Sequence, residues 1–428
     1  MFSKIKVDEK LEREINKIPV IDIHSHISPT LPKAAHLSDI LLYHYIVTEL
    51  ITAGMPPSLL KENLSNEEKV RNSIPYFRRI KNTSTYWSLR RILEDLYGFE
   101  EELTLSNWES LNNEVQRRAK DPNWTKFVLR EKAKIKKTFF TCIPGEGDEL
   151  ENKDLFAPAL RVDDWINPFY LRENILTLEK VTGKSIFSLD DLTWGIRKMI
   201  LGFKGKSACL TAAFGPGIWA ESPDERIAQS LFQKLMKREP VTELIDGLSI
   251  LSSYILHVFL DIARESGLTF QIMFGVRRPL PINKELSYFD PKMFESFYQL
   301  FDNYPEIKFD IFLATVVHSQ ETNIICKKYP NVYLAGYWWY AFYPIYIRRM
   351  LEERLEIIPA NKISGFFSDA YVVEWSYGKL CLVRKELTRV LSDKVKEGYY
   401  SESYALEVAK LLLNQNPGDI YNLNKMGD

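Results

Sequence analysis

Paired cysteines are missing from this chain. Its four, Cys142, Cys209, Cys326 and Cys381, lie far apart with no C-x-x-C spacing. That excludes a zinc knuckle and offers no disulfide framework, so they read as small buried apolar residues in a reducing compartment. An excess of either charge is missing as well: 56 Lys and Arg stand against 57 Asp and Glu, a formal net charge of −1. No global field gathers nucleic acid or an anionic membrane, and a charged ligand has to be held locally. No apolar run is suited to a membrane span. The longest, Ile245 to Ala263, is broken by Asp246, Ser249, Ser252, Ser253, His257 and Asp261. The opening MFSKIKVDEKLERE mixes charged and apolar residues and lacks the apolar core of a signal peptide. Together these absences predict a soluble cytoplasmic protein, with no nucleic-acid or membrane partner and with homo-oligomerisation left open.

What is present is an ordinary folded composition, 45% apolar and 26% charged over 428 residues. Eight short β-rich apolar runs are separated by stretches of helical periodicity: Pro19–Ile27, Lys137–Cys142, Ala157–Val162, Ala208–Ala213, Thr269–Gly275, Lys308–Thr315, Asn331–Tyr337 and Ile363–Phe367. The long spacing between strands requires crossovers, and eight strands alternating with helices predict a closed parallel (β/α)8 barrel of the TIM type. The segment 28–137 breaks the rhythm, with helical patterns at Ile40–Leu50, Ser88–Leu96 and Ser106–Arg118. We read it as a helical insertion over the active-site face, with residues 1–27 and 138–428 forming the metal-dependent barrel.

The sharpest chemical feature is Ile21-Asp22-Ile23-His24-Ser25-His26, an apolar strand ending in His-x-His. Residues two apart on a strand point the same way, with Cα atoms about 6.5 Å apart, so both imidazoles can approach one ion. Asp369 ends the last candidate strand, and in a closed barrel strand eight lies beside strand one, which predicts a His24, His26 and Asp369 cluster. Such a set suits one divalent ion of the zinc type. Arg161, Arg277 and Arg278 stand at expected C-terminal strand ends, where a guanidinium suits a carboxylate clamp. His318, just past strand six, is a candidate for the metal shell or for a polar rim. If strand seven continues, Trp338 and Trp339 face opposite ways and one of them can wall the pocket. His36 and His257 have no convergent partners and read as structural.

These residues resemble the amidohydrolase superfamily, and its uronate isomerase branch in particular. The resemblance rests on His24-Ser25-His26, Leu41-Leu42-Tyr43-His44-Tyr45 inside the helical insertion, Arg161-Val162-Asp163, Gly336-Tyr337-Trp338-Trp339 and Ser368-Asp369-Ala370, in order along nearly the whole chain. It implies a (β/α)8 barrel, one divalent metal, commonly zinc, and interconversion of an aldose uronate with its ketose partner. It also lifts His44 and Tyr45, otherwise core aromatics, to catalytic candidates beside Asp369. The sequence departs from the family pattern at Tyr371, where an arginine is usual. Strand four has no lysine and strand five no histidine at its end, which favours one metal over two.

Three functional readings follow. In the first, the metal and Asp369 promote aldose–ketose isomerisation of a hexuronate through an enediolate, with Tyr45, His44 or a metal-bound water moving the oxygen-side proton. In the second, the same residues hydrolyse an amide, lactone or ester, Asp369 taking the proton of the attacking water. In the third, the barrel binds a sugar acid without turning it over.

Overall fold

The computed structural model describes residues 2–143, 152–166, 171–203, 207–214, 223–237, 245–277, 286–288 and 291–423. The candidate Arg278 lies outside them. The chain divides into two units, one made of residues 1–140, 343–348 and 366–414, the other of residues 141–342, 349–365 and 415–428.

In the first unit, β1 (Val20–Ser25) pairs in parallel with β2 (Ile135–Cys142), Ile21 opposite Lys137 and Asp22 opposite Thr138. Every residue of β1 is buried. Branched Val20, Ile21 and Ile23 suit a pleated surface covered on both faces, and the polar Asp22, His24 and Ser25 of the same strand are buried with them. The segment after Gly365 runs beside β1: the Asp369 N–H donates to the His24 carbonyl at 2.9 Å, and the His26 N–H to the Ala370 carbonyl at 2.8 Å.

Helices from the 28–137 segment belong to the same unit. One of them, Asn66–Phe77, begins with a capping box in which Ser65 Oγ accepts from the Glu68 N–H at 3.2 Å and Glu68 Oε2 from the Ser65 N–H at 2.8 Å. The helix predicted over 40–50 is in fact two, Leu37–Leu41 and His44–Thr52, with Tyr43 extended between them at φ −56°, ψ 140°. Tertiary packing overrides the periodicity here. The Tyr43 ring stacks at 4.3 Å on Trp375 and its hydroxyl donates to the Asp369 carbonyl at 2.9 Å, contacts an unbroken helix would forgo.

The long helix Val373–Lys396 is this unit's central support, buried over most of its surface and packed against the helices Phe2–Ile15 and Ser84–Tyr97. Gly378 permits the second of these approaches, since a Cβ there would lie 2.8 Å from the Ile92 side chain and 3.0 Å from the Ser88 carbonyl. Glu374, fully buried in its first turn, accepts from Trp124 Nε1 at 2.8 Å, the Tyr97 hydroxyl at 3.0 Å and the Ala34 N–H at 3.2 Å, tying the helix to three separate segments.

The second unit carries the β–α alternation. Strands β3 (Phe156–Arg161), β4 (Cys209–Ala213), β5 (Thr269–Phe274), β8 (Phe309–Leu313) and β9 (Val332–Leu334) pair in parallel in that order, with a two-residue hairpin, β6 (Val276–Arg277) and β7 (Leu286–Ser287), after β5. Seven of the eight expected strand positions are thus strands, and the parallel α/β class holds. The eighth, Ile363–Phe367, shrinks to a single bridge between Ile363 and Leu334. β9 stops at Leu334 because the fully buried Arg354 takes the next carbonyls, Ala335 at 2.7 Å and Gly336 at 3.2 Å, although the Ala335 N–H still donates to the Ile311 carbonyl at 2.9 Å. The alternation argument for Trp338 and Trp339 fails for the same reason: Trp339 opens a 3-10 turn, Trp339–Ala341.

Candidate metal centre

His24 and His26 project from the end of β1 with ring centroids 5.4 Å apart and ring planes nearly perpendicular. Asp369 meets them: its Oδ1 is 3.3 Å from His26 Nε2, and ligand atoms of the three residues all lie within 4.8 Å of one another. His24 and Asp369 are buried and His26 half-buried, so the cluster opens to solvent on the His26 side. Two neutral imidazoles and one carboxylate suit a divalent ion of the zinc type, and the three residues fit one without rearrangement of their elements.

Asp369 sits at φ +50°, a left-handed conformation that aspartate tolerates better than most residues but that is still strained. The His24 carbonyl on its N–H and the Tyr43 hydroxyl on its carbonyl hold it there. Burial alone would raise its carboxyl, but the hydrogen bond from His26 and the charge of Lys379 outweigh it and keep the group well below the usual carboxylate range. The aspartate is therefore ionised and ready to ligate.

Tyr45 and His44 begin the helix His44–Thr52 and are half-buried beside the cluster. The Tyr45 hydroxyl is 3.5 Å from Asp369 Oδ2. His44 packs at 4.3 Å against both Tyr43 and Tyr45, and burial, with Lys379 adding to it, lowers its imidazole to about 4, so it is neutral at pH 7. Tyr371, half exposed, lies almost parallel to the His26 ring at 5.0 Å and fixes its plane.

Three supporting residues escape sequence reasoning. Asp22, fully buried, orients the strand-eight segment through the Ser368 N–H at 2.8 Å and Ser376 Oγ at 3.3 Å, and burial pushes its carboxyl up to about 7. Tyr43 is the strut under Asp369. Lys379 places its ammonium 4.6 Å from the Tyr45 ring centroid and 5.1 Å from that of Tyr43; burial lowers its pKa to about 8. The sequence signal for Lys379 was its spacing of four from Trp375, which puts both on one face of the long helix.

The other candidates belong to the second unit. The Arg161 guanidinium, at the end of β3, is held by Asp163, with Nε 3.2 Å from Oδ1. His318 is buried with Nε2 3.0 Å from the Tyr288 carbonyl and its ring packed edge-on to Phe274 and Phe294. Trp338 is buried edge-on to Trp339, and Arg277 pairs with Leu286 in the hairpin after β5. Among the described residues the metal-competent cluster is His24, His26 and Asp369. His36 and His257 lie apart from this cluster, with Nδ1 atoms 3.3 Å from Gln116 Nε2 and 2.8 Å from the Tyr304 hydroxyl.

Comparison with known proteins places this architecture. The chain superposes on the crystal structure of a uronate isomerase from Thermotoga maritima with a TM-score of 0.86 at 18% identity, covering 97% of each chain. A glucuronate isomerase from Caulobacter crescentus gives the same TM-score and identity, with 98% of this chain and 95% of that one covered. The fold is therefore that of these isomerases, a TIM-type α/β barrel. No protein-family model matches the sequence. Among curated proteins, a stretch of 131 residues is 28% identical to Protein fluG of Emericella nidulans; it covers 29% of this chain, which spans 15% of that relative's length.

Proposed function

We propose that this protein is a metal-dependent aldose–ketose isomerase acting on a hexuronate of the glucuronate or galacturonate type. The observation that carries the reading is the His24, His26 and Asp369 cluster, with Tyr45 and His44 at its edge, inside a fold shared with proteins described as uronate and glucuronate isomerases. His24, His26 and Asp369 would hold one zinc ion. Such an ion supplies Lewis acidity, polarising a carbonyl and acidifying the neighbouring C–H.

Isomerisation moves one proton between adjacent carbons and another between their oxygens. Asp369, ionised and with Tyr45 3.5 Å from Oδ2, would accept the carbon proton; its depressed basicity requires that this proton first be acidified. Tyr45 can then pass a proton at oxygen, and His44, kept neutral, can accept or relay one. No helix among the described residues is long and apolar enough to cross a membrane, which fits a cytoplasmic enzyme of sugar-acid metabolism.

The test is to incubate zinc-loaded protein with a panel of hexuronates and lactones in deuterium oxide. Isomerisation through an enediolate places solvent deuterium on a product carbon. Substrate cleavage without carbon-bound deuterium assigns the site to hydrolysis, and binding without turnover assigns it to a sugar-acid receptor.

A further inference from the structure

Lys379 is a charge built into the wall of the metal centre. It stands one turn after Trp375 on the long helix and is 2% exposed. Its ammonium lies over the faces of Tyr45 and Tyr43, at 4.6 and 5.1 Å, and the hydroxyls of those same rings reach Asp369, at Oδ2 and at the carbonyl. A buried ammonium is unfavourable unless opposite charge faces it. Here the two ring faces supply part of that charge, and the carboxylate of Asp369 the rest.

The charge count of the centre follows. His24 and His26 are neutral ligands, Asp369 brings one negative charge and Lys379 one positive. We propose that Lys379 is a specificity-determining residue of this site. Its ammonium cancels the charge of Asp369, so that a divalent ion held by His24, His26 and Asp369 keeps both its charges to be met by an anionic sugar. The inference rests on the metal-dependent reading above and names the charge of the ligand that reading requires. It has an uncommon signature: Lys379 weakens metal binding while strengthening anion binding, whereas a purely structural residue would support both together.

The experiment compares wild type with Lys379→Met, of similar length but neutral, and Lys379→Arg, which keeps the charge. Lys379→Gln serves as a second neutral variant if the methionine form fails to fold. Zinc affinity is measured by chelator competition, and affinity of the zinc-loaded protein for glycolate, a small hydroxycarboxylate, by calorimetry. Removing a unit charge beside the site should tighten zinc about tenfold and weaken glycolate about tenfold in the neutral variants, with Lys379→Arg closer to wild type on both. Zinc and glycolate affinities that fall together, or that do not move, overturn the proposal for Lys379. A wild-type protein that takes up no zinc overturns the metal-dependent reading itself, and the proposal with it.

Discussion

The backbone N–H of Asp369 donates to the carbonyl of His24 at 2.9 Å, joining two metal-competent residues 345 positions apart in the chain. The bond does more than bring them near. It fixes the left-handed turn at Asp369 that aims the carboxylate back at His26, and the Tyr43 hydroxyl on the Asp369 carbonyl locks that turn from the other side.

Replacing Asp369 with asparagine should remove at least about a hundredfold of turnover while the fold survives. The amide keeps the shape and some ligating capacity but accepts no proton near neutrality, and general-base catalysis typically contributes 10²–10⁴-fold. Zinc content should fall less than kcat, because His24 and His26 remain. Steady-state kinetics paired with metal analysis decides it, and wild-type turnover in this variant would remove Asp369 from the role of base.

Tyr45→Phe deletes a hydroxyl 3.5 Å from Asp369 Oδ2 while preserving the ring over Lys379. The expected result is a fall in kcat of roughly ten- to a hundredfold with zinc affinity unchanged, since oxygen-side proton transfer is impaired and the ligand set is not. A loss carried by KM alone would make Tyr45 a binding residue.

Gly378→Ala should destabilise the protein by about 1–3 kcal/mol, the usual range for overpacking a tight contact. The added methyl would meet the Ile92 side chain at 2.8 Å and the Ser88 carbonyl at 3.0 Å. The urea midpoint measures the effect, and an unchanged midpoint would mean that the two helices separate freely.

Asp310, fully buried on β8, gives a pH test away from the metal centre. Burial pushes its carboxyl up to about 7, against the opposing hydrogen bond from the Tyr421 hydroxyl at 2.6 Å. A raised folded-state pKa means the native protein holds a proton that the unfolded chain releases near pH 4. This contribution to stability is full below pH 4 and is lost as pH rises through about 7. Between pH 5 and 8, wild type should therefore lose more stability than Asp310→Asn, which carries no titrating group there. Parallel Tm profiles for the two proteins would rule Asp310 out as the source.

Much of the architecture was written locally. Branched apolar runs bounded by turns marked seven of the eight strand positions, and His-x-His at the end of β1 marked two candidate metal ligands through the period-two geometry of a strand. Asp369 could be added from sequence because strand eight neighbours strand one in a closed barrel, a rule of topology rather than of local propensity. The places where local signals failed are those where distant residues compete for the same backbone. Ile363–Phe367 has the composition of a strand, yet Arg354 takes the carbonyls after Leu334 and leaves Ile363 a single bridge. The 40–50 segment has helical periodicity, yet Tyr43 breaks it because a ring on Trp375 and a hydroxyl on Asp369 outweigh one uninterrupted turn.

The sequence by itself determined the class of fold and the grouping of His24, His26 and Asp369, since both follow from short-range pattern and strand order. Only the tertiary structure decided how that chemistry is charged. Which cation faces Asp369, whether His44 is neutral and what clamps the ring of His26 all depend on burial and on approaches between the end of β1, the His44–Thr52 helix and the long helix. Electrostatic energies are set by those distances and by exclusion of water, and neither is written in the order of residues along the chain.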